Sequence, residues 1–153
     1  MVLSWLYWIG GVSMTVSDIK EIKIKEDVRW MEFRPREYFI DELRFGENFI
    51  HNTRKIYTDS RESVFEWRFE TKLDMYNYKK DFLKICEEVL KLREINLDKS
   101  CSYCYYIEVL FKDGSVREYT FFDDFTISGL EELKDAIINA LPSDCDVYPS
   151  CIK

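Results

Sequence analysis

Glycine and proline are scarce in this chain, with 5 and 3 copies among 153 residues. That scarcity excludes collagen-like and low-complexity sequences and leaves no flexible linker at which to divide the chain. Basic residues are outnumbered, 22 Lys and Arg against 29 Asp and Glu, for a net charge of −7. An anionic chain grips phosphate backbones poorly, because that binding depends on cationic side chains releasing counterions. Nucleic acid is set aside as a partner on this ground. No apolar run approaches the ~20 residues of a spanning helix, and the first residues carry no positive charge of the secretory kind. Membrane association is therefore not expected, and the cytoplasm is. Histidine occurs once, as His51. Gly-rich phosphate loops, H-E-x-x-H, G-x-S-x-G and EF-hand patterns do not occur, so no motif supports a cofactor or an enzyme.

What is present describes a folded chain. Hydrophobic residues make up 46% and aromatic residues 16% of the sequence, enough to fill a core at this length without staples. The five cysteines, Cys86, Cys101, Cys104, Cys145 and Cys151, are odd in number. Cys86 falls on a core-facing stripe, and the set suits a reducing compartment better than a disulfide framework. Cys101-Ser-Tyr-Cys104, with Cys145 and Cys151, invites a four-thiolate zinc site. Topology opposes it. The first pair opens a strand, whereas Cys145 follows a helix that should end near the other end of that strand. Bridging some ~30 Å with four residues asks too much of the chain. A redox reading is weaker still, since such thiols are activated at helix N-termini and this pair leads into a strand. No metal is assigned.

The most legible stretch runs from Met75 to Leu141 as helix, hairpin, helix. Asp113-Gly114 between two apolar runs predicts a two-residue type I′ turn, which needs positive φ at both central residues. That loop pairs Phe111 with Val116, Val109 with Glu118 and Tyr105 with Phe122. Side chains alternate, so Tyr103, Tyr105, Ile107, Val109, Phe111, Val116 and Phe122 share the face to be buried. Cys104, Tyr106, Glu108, Lys112, Arg117, Tyr119 and Asp123 take the other. Tyr78, Phe82, Ile85, Val89 and Leu92 form the stripe of the first helix, with Lys79, Lys80, Asp81, Glu87 and Glu88 filling the rest. Leu130, Leu133, Ile137 and Leu141 form that of the second, which Pro142 ends. Capping-box spacing precedes both, at Thr71…Asp74 and Ser128…Glu131.

At the N-terminal end, residues 1–13 are apolar and differ in character from the rest of the chain. Ile9-Gly10-Gly11-Val12-Ser13 before Met14 can be encoded by codons containing AGGAGGT, a ribosome-binding sequence. This makes 1–13 a candidate leader, with 14–153 as the α+β domain; the gene's codons decide it. The alternative is an edge strand at Trp5–Ile9. Strands then follow at Ile22–Ile24, Val28–Phe33, Tyr38–Phe45, Phe49–Tyr57 and Val64–Thr71, with Phe65, Trp67 and Phe69 alternating against Glu66, Arg68 and Glu70. The expected fold is α+β: a two-layer sandwich in which a mainly antiparallel sheet, N-terminal meander plus C-terminal hairpin, carries two helices on one face.

Charge is uneven along the chain. Residues 118–146 hold eight acidic residues against Lys134 alone, which accounts for the whole net charge. Carboxylates in a first helical turn suit the helix dipole, which explains Glu131 and Glu132 but not the remainder. Glu118, Asp123, Asp124, Glu131, Glu132 and Asp135 are therefore the candidate surface for a basic protein partner. In size and charge the chain resembles small bacterial and phage proteins, immunity and anti-defence inhibitors among them. The expected function is a cytosolic protein-binding module of that type. The alternative is a small enzyme or ligand-binder with a pocket between sheet and helices lined by His51, Trp67 and Tyr105. A third is self-association through an exposed edge strand.

Overall fold

A computed structural model describes residues 7–9, 12–27, 38–59, 61–70, 75–92, 105–121, 130–142, 146–147 and 149. In chain order its strands are β1 (Tyr7–Ile9), β2 (Val12–Met14), β3 (Ile19–Asp27), β4 (Tyr38–Gly46), β5 (Phe49–Tyr57) and β6 (Glu62–Glu70). Helix α1 (Met75–Leu90) leads to the hairpin β7 (Tyr105–Phe111) and β8 (Val116–Phe121), and helix α2 (Glu131–Ala140) comes last. Strands β3 to β8 form one six-stranded sheet ordered β6-β5-β4-β3-β7-β8, every pair antiparallel. The N-terminal meander and the C-terminal hairpin thus meet at β3. The β1–β2 pair is a separate hairpin and not an added edge strand on that sheet.

Alternation decides which sheet face is buried. Ile22 and Ile24 of β3, Leu43 and Phe45 of β4, Ile50 of β5 and Ile107 and Val109 of β7 are within 1% of full burial. They share one face and one core with Phe82, Ile85, Cys86 and Val89 of α1 and Leu133, Ala136 and Ile137 of α2. Each buried aliphatic or aromatic side chain of this size contributes about 1.5–3 kcal/mol. Helix α1 is further pinned by Tyr78, whose buried hydroxyl lies 2.6 Å from the Gly46 carbonyl and 2.8 Å from that of Phe49. It donates into the β4–β5 turn. Tyr78→Phe is expected to cost about 1–2 kcal/mol in urea unfolding, by leaving that bond unmade in a buried place. Burial pushes the Cys86 thiol far above its ordinary range, so it is an inert core residue.

Four expectations need correction. The hairpin turns over three residues, not two: Gly114 N–H bonds the Phe111 carbonyl at 3.0 Å and Phe111 N–H the Ser115 carbonyl at 2.9 Å. Of the turn residues only Gly114 has positive φ, at 87°, whereas a type I′ turn demands it of Asp113 as well. Asp113 keeps an ordinary backbone, and its carboxylate accepts the Ser115 N–H at 2.8 Å. Leu110 therefore faces Val116 and Ile107 faces Tyr119. One residue of slip turns β8 over: Tyr119 is buried and Val116 is 55% exposed. Second, Phe65 and Phe69 of β6 are 59% and 50% exposed, with only Trp67 half-buried. They point to the helix side, but β6 is the outermost strand, beyond the cover of two helices. Third, Glu88 of α1 is buried, held by Lys84 and Lys91 at 3.1 Å each. Fourth, α2 starts at Glu131 with Leu130 in the cap position and no side-chain cap bond. Val28–Phe33, Thr71–Asp74, Tyr103, Phe122, Ser128 and the remaining four cysteines lie outside the described residues.

Candidate functional site

The acidic candidates do not form one patch. Glu131, Glu132 and Asp135 are exposed on α2. Glu118 of β8 faces Glu108 of β7 on the opposite side of the sheet, which carries no helix among the described residues. There it borders an open depression of about 200 Å³ with Lys23, Lys25 and Tyr106. Asp123 and Asp124 lie outside the described residues.

The α2 trio gathers three exposed carboxylates without an ion pair on one short helix, where Asp59, Glu62 and Glu118 stand singly. Elsewhere on the described surface, Glu21 and Glu42 lie against Arg44, Glu47 against Lys112, Glu87 against Lys84 and Glu108 against Lys23. No cation is paired with Glu131, Glu132 or Asp135 among the described residues. Glu131 and Asp135, one helical turn apart, also repel each other by a few tenths of a kcal/mol. Only Glu131 and Glu132 sit in the first turn, where the helix dipole offsets the charge.

The proposed pocket trio is divided by the sheet. His51 lies on the open face, its Nε2 against Glu66 Oε1, while Trp67 and Tyr105 lie on the helix side. Trp67 belongs to β6 and Tyr105 to β7, four strand intervals or about 19 Å apart. The Trp67 indole N–H donates to the Asp146 carbonyl at 2.8 Å. These three side chains line no common cavity.

Sequence reasoning missed a buried polar row. Register places Arg54 opposite Asp41, Asp41 opposite Glu26 and Glu26 opposite Tyr105, side by side across β5, β4, β3 and β7. Asp41 is fully buried and Glu26 4% exposed. Arg54 grips Asp41 with two bonds of 2.7 Å each and lies 4.3 Å over the Phe39 ring. Asn52, also buried, donates to the Glu42 carbonyl at 3.0 Å. One guanidinium thus serves two carboxyls. Burial, then the neighbouring Asp41 charge, pushes Glu26 up to about 7, against the pull of Arg54 and a bond with Tyr105. Arg54 bonds Asp41 directly, and Glu26 is the carboxyl of the row pushed up toward neutrality. The sign was present in the strand pattern: Glu26 continues the inward series Ile22, Ile24, and Asp41 precedes the inward Leu43 and Phe45.

Among the described residues no group of three His, Cys, Asp or Glu side chains is placed to hold a metal ion. No helix among them is long and apolar enough to cross a membrane. No protein-family model, curated protein or solved structure matches the chain.

Proposed function

We propose that this chain is a cytosolic protein-binding module of the immunity or anti-defence inhibitor type, docking the outward face of α2 on a basic partner. The observation that carries the reading is the trio Glu131, Glu132 and Asp135, exposed together on α2 with no cation paired to any of them among the described residues. An uncompensated field of one sign steers a cationic partner and raises its association rate. The test replaces Glu131, Glu132 and Asp135 together with lysine and follows binding to the protein that the unaltered chain captures from its host. The association rate is expected to fall at least about tenfold at low salt, with the salt dependence largely abolished. Equal rates and equal salt slopes would remove α2 from the interface. Glu118→Lys serves as control, since its side chain faces the other side of the sheet.

A second reading, a small enzyme or ligand-binder, draws support from one observation. Glu26 is a buried carboxyl that releases its proton near neutrality, beside a second carboxyl and an arginine. Such perturbed groups gather at working sites as well as in structural networks.

A further inference from the structure

The outermost strand β6 runs nine residues with its outer edge unpaired among the described residues. It is also unusually apolar for an edge: Val64, Phe65 and Phe69 are each about half exposed or more. Long flat edges of this kind attract another strand, and folds normally blunt them with charge, proline or a bulge. β6 carries Glu62, Glu66, Arg68 and Glu70 but neither a proline nor a bulge in its pairing with β5.

We propose that β6 is the dimerisation edge, pairing antiparallel with β6 of a second copy about a twofold axis through Trp67. Register geometry selects the axis. Facing residues in an antiparallel pair must both point their main-chain groups toward the partner or both away. Two copies of one strand can therefore meet only with a residue, not a peptide bond, on the axis. Centred on Glu66, the carboxylate opposes its own copy. Centred on Arg68, two guanidinium groups meet. Centred on Phe65, Trp67 faces Ser63 and the aromatic stripe is lost.

Centred on Trp67, the aromatic residues and the opposite charges match, and only the outer Val64–Glu70 pairs do not. On the helix side Phe65 opposes Phe69 twice, with the two Trp67 rings between them. On the open side Glu66 opposes Arg68 twice. Both of these charged side chains are exposed. Aromatic and opposite-charge pairs are the favourable cross-strand combinations, and like charges directly opposite are unfavourable. A second copy of this chain is thus the occupant whose pattern complements the edge on both faces. The result is one continuous sheet through two six-stranded halves, with the exposed aromatics removed from water. This is independent of the α2 reading, since no acidic residue of that helix takes part.

The test is sedimentation velocity on the full chain through the micromolar range, with Glu66→Arg, Arg68→Glu and the two combined. The unaltered chain is expected to dimerise. Each single reversal sets like charges opposite each other twice, and should weaken the dimer at least about tenfold. The double reversal restores opposite charges and should restore the dimer. Phe65→Lys, at a position already exposed, should weaken it without altering the circular dichroism. A monomer throughout the range, or a dimer indifferent to the single reversals, would overturn the assignment.

Discussion

Arg54→Ala is expected to lower the unfolding free energy by about 3–5 kcal/mol near neutral pH, the cost of stranding a buried charge. Asp41, fully buried, accepts both of its strong bonds from that one guanidinium. Cut back to alanine, the site holds a carboxylate with no cation and a neighbour, Glu26, of the same chemistry. Loss of the guanidinium over Phe39 adds about 0.5–2 kcal/mol of cation–π attraction to the deficit. The remaining acid relieves itself by binding a proton. Burial already raises the Asp41 carboxyl, and without Arg54 nothing opposes that rise. The deficit should therefore shrink as pH is lowered, so the two proteins converge in acid. The double variant Asp41→Asn with Arg54→Met tests whether charge or volume is at stake. It removes both charges while keeping most of the bulk, and replacing a whole buried pair is often near neutral. Urea unfolding of the three proteins at several pH values supplies the comparison. A loss under about 1 kcal/mol for Arg54→Ala would mean that water reaches Asp41 and the row is not a dry network.

How this row forms explains what could and could not be read from the chain. Local features were legible: β5 (Phe49–Tyr57) and the inward face of β7 follow from alternation alone. So do the stripes of α1 and α2, and the class of fold with them. The β8 register was not, because Asp113-Gly114 is compatible with two loop lengths. The backbone angle at Asp113 chooses between them, and each choice buries the opposite side of β8. Nor was the exposure of Phe65 and Phe69 legible. Their alternation correctly gives the face, but cover depends on β6 lying last in the sheet, which is a matter of strand order. The candidate sites fail or survive on the same ground. His51, Trp67 and Tyr105 look alike as lining residues until the order β6-β5-β4-β3-β7 separates them. Glu26 and Asp41 continue the inward series of their own strands, but only that order makes them neighbours of each other and of Arg54.

Glu26 then gives the second large effect, a gain in stability from losing an acid. Its folded carboxyl titrates at about 7 against an ordinary value of 4.5. Below pH 4.5 the group is protonated whether the chain is folded or not. As pH rises toward 7 the unfolded chain releases this proton and the folded one retains it, so stability falls; above 7 the loss is complete and level. The span corresponds to roughly 3 kcal/mol at about 1.4 kcal/mol per pH unit. Glu88 works in the opposite direction lower on the scale. Lys84 and Lys91 outweigh its burial and depress its carboxyl, so its contribution is present above the ordinary carboxylate range and lost in acid. Glu26→Gln keeps the shape, can still accept the Tyr105 hydroxyl, and can donate to Asp41 where the acid repelled it. At pH 8 the variant is expected to be more stable by about 2–3 kcal/mol, or roughly 4–12 °C in melting temperature. Between pH 5 and 7 it should lack the downward slope of the parent, which is the diagnostic comparison. An unchanged slope would assign the titration to another group. A full gain in stability, joined to unimpaired binding by the α2 face, would separate this acid from the protein-binding role.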